Sequence, residues 1–185
     1  MRTVYVVIDT ETTGSEPMKG DRIIEIGAVP IYKGKVMSDL AFHALVNPEV
    51  IIPGHITGVH GLKNDDLVQA PTMIEVFPRF KDYLGSSLVV GHNIVADMTF
   101  LDMASKETGI APLTNRYLDT LELAKEVLRN GPFKLTDLAQ RLGVSERPTH
   151  RALDDAFVTA RVFLELARLM GGLFRLRRYV KNWRG

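Results

Sequence analysis

The sequence predicts a three-layer α/β domain in which helices cover both faces of a mixed sheet. Residues 4–8 are almost continuously apolar and rich in β-branched side chains, as in a central strand that is buried on both faces. Residues 22–31 and 36–46 are two more strand candidates, and the Lys-Gly-Lys turn at residues 33–35 predicts that they pair as a hairpin. Farther along the chain, apolar residues recur at helical spacing instead.

Five helices and one further strand are predicted after the hairpin. The helices are expected over residues 72–84, 95–107, 120–128, 135–142 and 152–170, and the strand over residues 87–90. With 185 residues and a 45% hydrophobic composition, the chain is long enough to form one domain with a substantial core.

We assign residues 1–172 to this domain and residues 173–185 to a basic C-terminal helix or tail. The apolar residues of that last segment share helical spacing opposite its charges: Leu176, Tyr179, Val180 and Trp183. Such a stripe favours docking of the segment on its own domain. Contact with nucleic acid or with a partner is the alternative.

The composition excludes several kinds of site. There is no cysteine, so neither a disulfide nor thiolate-held zinc can form, and a bound metal must be held by oxygen or imidazole. A reducing compartment fits this composition, and we expect a cytoplasmic protein. The formal net charge of +1 gives no global field for nonspecific nucleic-acid binding. The first apolar run is too short to span a bilayer, so we expect no membrane partner.

The first of three motifs that contain acids is DTETTG at residues 9–14. Side chains alternate along a strand, so Asp9 and Glu11 are predicted to lie on one face while Thr10 points to the other. Two carboxylates therefore converge at one end of the strand.

The second motif, GHNIVAD at residues 91–97, opens a predicted helix. Asp97 is followed at helical spacing by Phe100 and Leu101, which places its carboxylate on the buried side of that helix. Asp102 lies off this stripe and is expected to be exposed. A buried carboxylate requires a partner, because an isolated charge is costly to remove from water.

The third motif, HRALDDA at residues 150–156, contains two adjacent acids. Their helical spacing from apolar residues again predicts which one faces the core. Asp155 lies on one stripe with Val158 and is predicted to face the core. Asp154 leads to Arg161 and is expected to face water, where it pairs with that arginine or favours the helix N-terminus.

Together the motifs supply four carboxylates, which would repel one another and destabilise the fold unless cations neutralise them. Oxygen ligands favour Mg²⁺ or Mn²⁺ over zinc. Two such ions about 4 Å apart can hold both the attacking and the leaving oxygen of a phosphoryl displacement. The acids therefore predict phosphodiester hydrolysis.

A histidine completes this set. His150 follows a loop-forming Arg-Pro-Thr and precedes Asp155, so it is expected at a mobile helix entrance. An imidazole that titrates near neutrality can accept a proton from the attacking water. No such neighbour supports His43, His55 or His60, and His92 is expected to shape the turn before the second motif's acid.

The three motifs resemble those of the DEDDh branch of the DnaQ-like 3′-to-5′ exonucleases over nearly the whole chain. The resemblance implies a ribonuclease H-like fold with a mixed sheet of roughly five strands. It also implies two Mg²⁺ or Mn²⁺ ions and the release of nucleoside 5′-monophosphates from a single-stranded 3′ end. In that family scheme Asp9 bridges both ions. Glu11 and Asp155 hold one ion, Asp97 supports the other, and His150 is the general base.

The resemblance also implies which residues contact substrate. The Thr-Thr-Gly after Glu11 stands where family members hold the terminal nucleotide. Ile56, Val59 and Phe100 could pack against terminal bases, although a core position is equally open for Phe100. The expected substrate-binding set is Thr10, Thr12, Thr13, Gly14, Ile56, Val59, His60, Asn93 and Phe100.

Three functions fit these motifs. The leading hypothesis is a DNA exonuclease of proofreading or repair, with a DNA polymerase subunit as its partner. An RNA-trimming exoribonuclease of the ribonuclease T or oligoribonuclease kind is the alternative, because the motifs contain no residue that reads the 2′-hydroxyl. A catalytically silent nucleic-acid-binding module is the third hypothesis, since a fold alone does not establish an activity.

Overall fold

The computed structural model describes residues 4–183, which form a seven-stranded mixed sheet with helices on both faces. The strand order is β3-β2-β1-β5-β6-β7, and β4 also pairs with β2. The strands are β1 (Tyr5–Thr12), β2 (Ile23–Tyr32), β3 (Lys35–Val36), β4 (Phe42–Leu45), β5 (Leu88–Gly91), β6 (Arg116–Asp119) and β7 (Lys181–Asn182). This confirms the predicted α/β class. The sheet exceeds roughly five strands because two-residue strands extend its edges.

Seven α-helices occur within the described residues. They are α1 (Gly54–His60), α2 (Asn64–Leu67), α3 (Met73–Leu84), α4 (Val95–Thr108), α5 (Thr120–Leu128), α6 (Leu135–Arg141) and α7 (Ala152–Leu169). All five predicted helices are confirmed. Helices α1 and α2 and strand β6 are additional to the prediction, because elements of four to seven residues are too short for a hydrophobic period to emerge. No helix among residues 4–183 combines the length and apolar character needed to cross a membrane.

The predicted strand over residues 36–46 is divided in the structure. A 3-10 helix, Ser38–Leu40, separates β3 from β4, and both strands pair antiparallel with β2. The predicted hairpin is therefore present, but its second arm is formed by two short strands.

Strand β1 lies in the middle of the sheet, antiparallel to β2 and parallel to β5. Tyr5 and Val7 pack in the core beneath α5, α6 and α7, whereas Val6 and Ile8 pack in the core beneath α3 and α4. This alternation continues along the strand, so Asp9 and Glu11 share the face of Val7 that α7 covers.

Helix α7 begins directly above β2, and a glycine makes this approach possible. A Cβ atom at Gly27 would overlap the backbone of Ala152 and Leu153, the first two residues of the helix. Gly27 is thus required for close contact between strand and helix, and this contact places the first turn of α7 over the polar end of β1.

The C-terminal segment packs onto the domain. Residues Leu173–Tyr179 form a 3-10 helix, and β7 then pairs antiparallel with β6. Leu176 is buried in the core under α7. The single helix suggested by the apolar spacing of residues 176–183 is therefore not formed, because pairing with the edge of β6 satisfies the backbone as an extended strand.

Trp183 also explains a wrong prediction about α4. Its Nε1 donates a hydrogen bond to Asp102 Oδ1 over 3.0 Å, and its ring lies 6.0 Å from the ring of Tyr117. Asp102 is therefore only 8% exposed, in contrast to the solvent position that its helical spacing predicts. The periodicity of α4 does not reveal this burial, because the segment that covers Asp102 is distant in sequence.

We predict that Gly27→Ala destabilises the protein by about 1–3 kcal/mol, because the added methyl group must displace the start of α7. Urea denaturation measures this change. The matched control is Gly58→Ala, since a Cβ at Gly58 in α1 meets no atom within 4 Å. The control should leave the free energy of unfolding unchanged or raise it by about 0.5–1 kcal/mol. Equal stability of the two variants would contradict the proposed close contact.

Candidate metal centre

Four carboxylates converge at the carboxyl end of β1. Asp9 and Glu11 are supplied by the strand itself, Asp97 by the first turn of α4 and Asp155 by the first turn of α7. Asp9 lies within electrostatic range of the other three carboxylates. The two helical acids, at 8% and 7% exposure, face inward as their helical spacing predicts.

The tightest group in this cluster consists of Glu11, His150 and Asp155. One ligand atom from each of the three residues lies within 4.8 Å of the others. Asp155 is buried and Glu11 half-buried, while His150 is exposed at the entrance to α7. This histidine has a positive φ of 57°, so its backbone adopts a left-handed conformation that is unusual for a non-glycine residue.

Burial perturbs the pKa values of these acids, and repulsion within the cluster adds to the shift of Asp9 and Glu11. Burial, followed by the charges of Asp97, Asp155 and Glu11, raises the pKa of Asp9 well above its usual value. Burial and the charge of Asp155 raise the pKa of Glu11 to about 8. Burial raises the pKa of Asp97 to about 7, although a hydrogen bond from Thr10 opposes the shift.

Asp155 follows the same pattern. Burial raises its pKa, and a hydrogen bond of 2.8 Å from the Thr149 N–H to its Oδ1 opposes that increase. A cluster of acids that hold their protons this tightly is a site at which a divalent cation can replace protons. The oxygen-rich donor set, with one imidazole at its edge, therefore fits a hard divalent ion.

The turn between β5 and α4 is fixed by polar contacts to the end of β6. Asn93, with a positive φ of 58°, donates its backbone N–H to Asp119 Oδ1 over 2.9 Å. The His92 ring is 2.9 Å from the hydroxyl of Thr120 through Nδ1. These contacts orient the start of α4, and the Thr10 hydroxyl donates to Asp97 Oδ1 over 2.7 Å. The side chain of Thr10 therefore positions a carboxylate in this structure.

The Thr-Thr-Gly sequence after Glu11 forms the turn at the end of β1. Thr12 donates its hydroxyl to the Gly14 carbonyl over 2.6 Å, while Thr13 is buried and accepts a hydrogen bond of 2.9 Å from the Arg22 N–H. A Cβ at Gly14 would overlap the carboxylate of Asp21. A larger residue at this position would therefore have to displace the Asp21 side chain.

Helix α1 carries three residues of the expected substrate-binding set. Val59 is 51% exposed, whereas Ile56 packs against a small apolar cluster that includes Ile24 and Leu62. His60 is buried, and its Nδ1 accepts a hydrogen bond of 3.0 Å from the Leu62 N–H. Its Nε2 has no hydrogen-bond partner within the described part of the chain.

Phe100 and Asp154 lie in opposite environments. Phe100 is 6% exposed and packs in the apolar core with α3. Asp154 is exposed, as its helical spacing predicts, and accepts a hydrogen bond of 2.8 Å from the Thr149 hydroxyl. Arg161 instead forms an ion pair of 3.5 Å with Glu146.

Glu25 and Asp119 are buried polar residues near the site that the sequence motifs did not identify. Glu25 stands directly opposite Glu11 in the β1–β2 register. Glu25 could have been identified from the sequence, because it is a charged residue among the inward-facing positions of a buried strand. A carboxylate in such a position needs hydrogen-bond donors. Asp119 offered no comparable signal, since its role depends on the neighbouring turn.

The chain is similar to known exonucleases and to part of a DNA polymerase. An exonuclease family model (RNase_T) matches residues 6–163. The DNA polymerase III PolC-type protein of Thermotoga petrophila is 37% identical over 166 residues, which are 90% of this chain but 12% of that protein. The chain therefore spans only about an eighth of the length of this relative.

The fold is also found in solved structures of exonucleases, among them the following two. The nuclease domain of 3′hExo, a DEDDh family member bound to rAMP, has a TM-score of 0.79 at 18% identity and covers 99% and 97% of the two chains. Exonuclease I of E. coli in complex with a dT13 oligonucleotide has a TM-score of 0.80 at 17% identity over 94% of this chain and 43% of that chain. The ribonuclease H-like fold is thus confirmed. Because the family model matches most of its length, the chain belongs to the exonuclease family that this model describes.

Proposed function

We propose that this protein degrades single-stranded DNA from its 3′ end and releases nucleoside 5′-monophosphates, in proofreading or repair. The convergence of Asp9, Glu11, Asp97 and Asp155 beside His150 is the observation that carries the proposal. Similarity to a DNA polymerase III PolC-type protein supports a role beside a DNA polymerase. The dT13 oligonucleotide in complex with exonuclease I supports a single-stranded DNA substrate.

The four carboxylates would hold two Mg²⁺ or Mn²⁺ ions. Bound there, such ions would neutralise the acids and would supply positive charge to stabilise the phosphate in the transition state. The ligands come from a central strand and two helix starts, which keeps them fixed relative to one another.

His150 is proposed as the general base. It takes a proton from the attacking water as the water oxygen bonds to phosphorus. The bond between phosphorus and the 3′ oxygen of the preceding nucleotide breaks, and that oxygen is protonated from solvent. The exposed position of His150, with Glu11 and Asp155 within 4.8 Å, allows its imidazole to reach the reacting phosphate and then exchange its proton with water.

The terminal nucleotide is proposed to lie between the turn after β1 and helix α1. The exposed Val59 offers an apolar surface to a base, and Ile56 supports it from the same helix. His60 lies on the same helix, where its Nε2 is buried and has no hydrogen-bond partner among the described residues. Asn93, in the turn before α4, is exposed and is proposed to contribute to the same surface.

RNA trimming is the second candidate function. It is favoured by the rAMP bound to the nuclease domain of 3′hExo, since a ribonucleotide occupies that relative of the same fold. A silent binding module is disfavoured, because the complete acidic cluster and the adjacent histidine are retained.

The direct test incubates the protein with 5′-labelled single strands of DNA and RNA in Mg²⁺, Mn²⁺ or chelator. We expect a metal-dependent ladder that shortens from the 3′ end of DNA, with RNA degraded more slowly. Faster degradation of RNA would replace the DNA proposal with RNA trimming. Metal-dependent cleavage of neither polymer would support the silent module.

The two adjacent acids of α7 give a matched test of the site. Asp155→Ala should lower kcat by at least about a thousandfold, since it removes an inward carboxylate of the cluster. Asp154→Ala should retain kcat within about threefold, because this side chain is exposed and bonds only a neighbouring hydroxyl. Initial rates on labelled DNA measure both effects. Loss of activity in the Asp154 variant alone would reverse the assignment of inward and outward acids.

The raised pKa values predict how stability depends on pH. Glu11 and Asp97 have a pKa of about 8 and about 7 in the folded chain, above their usual values of 4.5 and 3.8. At a pH between the usual and the raised pKa values, the folded state binds more protons than the unfolded state. The stability that these protons provide is therefore fully present at low pH and is lost as the pH rises. In chelator, we expect the melting temperature to fall by about 4 °C or more between about pH 5 and 8.

Divalent ions should counteract this fall. Mn²⁺ or Mg²⁺ replaces the lost protons, so it should raise the melting temperature most at the alkaline end of the range. Calorimetry with and without the ion measures the difference. Glu11→Gln is the internal control, since it removes one titrating acid and should flatten the curve in chelator. Equal melting temperatures with chelator and with Mn²⁺ at about pH 8 would contradict ion binding by the cluster.

A further inference from the structure

Glu25 is a buried carboxylate that does not belong to the proposed metal ligands. It lies on β2, and its side chain is 1% exposed. Three donors from two distant parts of the chain surround it. The Arg151 guanidinium donates to both carboxylate oxygens over 3.1 and 2.8 Å, the Ala152 N–H donates over 3.0 Å, and His43 Nε2 lies 2.7 Å from Oε1.

Two of these donors belong to the residues that directly follow His150. Glu25 therefore binds both the side chain of Arg151 and the backbone of Ala152, the first residue of α7. A second contact fixes the other side of the histidine, because the Thr149 N–H donates to Asp155 Oδ1 over 2.8 Å. His150 is thus the single residue between two anchored points of the backbone.

The conformation of His150 shows why such anchoring matters. Its φ of 57° is a left-handed conformation that non-glycine residues adopt at an energetic cost and that persists when the surroundings enforce it. The side chain is exposed, so the direction of the imidazole depends on the backbone that carries it. A carboxylate that holds the next two residues therefore controls where the imidazole points.

We propose that Glu25 is a positioning residue for catalysis, which holds His150 in its left-handed conformation through Arg151 and the Ala152 N–H. This inference rests on the proposed role of His150 as general base. Glu25 itself does not contact substrate and transfers no proton. Glu25 also stands opposite Glu11 on the neighbouring strand. It therefore connects the strand pair that carries the proposed metal ligands to the segment that carries His150.

The first test compares two Glu→Gln substitutions. Glu25→Gln keeps the side-chain size but loses the charge and one acceptor, so kcat on single-stranded DNA should fall about 10- to 100-fold. KM should change by less than about twofold, because the substrate surface is untouched. Glu165→Gln, which removes an exposed ion pair with Arg168 on the same helix, should keep both constants.

Folding and ion binding are measured on the same variants. Mn²⁺ titration should give Glu25→Gln an affinity close to that of the parent protein, since Asp9, Glu11, Asp97 and Asp155 remain. If Glu25→Gln does not fold, Arg151→Ala replaces it, because that change removes the guanidinium contacts and leaves the Ala152 N–H anchor. Arg151→Lys should restore part of the kcat that Arg151→Ala loses.

The decisive measurement combines each change with His150→Ala. A residue that acts through the histidine should have little further effect once the imidazole is gone, so the two losses in kcat should not multiply. If His150→Ala lowers kcat and Glu25→Gln lowers it again by the same factor, Glu25 acts independently of the histidine and the inference is overturned. If His150→Ala alone leaves kcat unchanged, the general-base proposal fails as well. An inactive parent protein would contradict the proposed function itself.

Discussion

Repulsion among carboxylates at the end of β1 is the constraint around which this domain is organised. Burial raises the pKa values of Asp9, Glu11, Asp97 and Asp155. The charges of neighbouring acids in the cluster raise those of Asp9 and Glu11 further. A flexible support would relax by moving the acids apart. Strand β1 prevents this, because it is held between β2 and β5 in the middle of the sheet and packs against helices on both faces.

The helices that carry Asp97 and Asp155 partly offset this repulsion. Asp97 and Asp155 both lie in the first turn of a helix, where unpaired N–H groups and the helix dipole favour negative charge. Burial nevertheless outweighs these contributions, since both carboxylates keep a raised pKa. The fold thus brings the carboxylates together without fully neutralising their negative charge. This arrangement suits a site at which divalent ions replace protons.

Glu11 and Glu25 show how similar carboxylates acquire different roles. They stand opposite each other on neighbouring strands. Burial alone would raise the pKa of Glu25, but hydrogen bonds from Arg151, His43 and the Ala152 N–H lower it overall. Glu11 has burial and the charge of Asp155 as its main influences, and its pKa rises to about 8. Glu25, whose carboxylate is fully hydrogen-bonded, holds the start of α7. Glu11 has few such partners, so its carboxylate remains available to bind an ion.

Local patterns in the sequence were enough to specify the α/β class, the five longer helices and the inward direction of Asp97 and Asp155, because strand and helix periods need only neighbouring residues. The roles of Glu25 and Asp102 emerged only with the folded chain. Glu25 is defined by donors 126 and 127 residues away, and Asp102 is buried by Trp183, 81 residues away. Such pairings depend on which surfaces meet after folding, and no spacing along the chain records them.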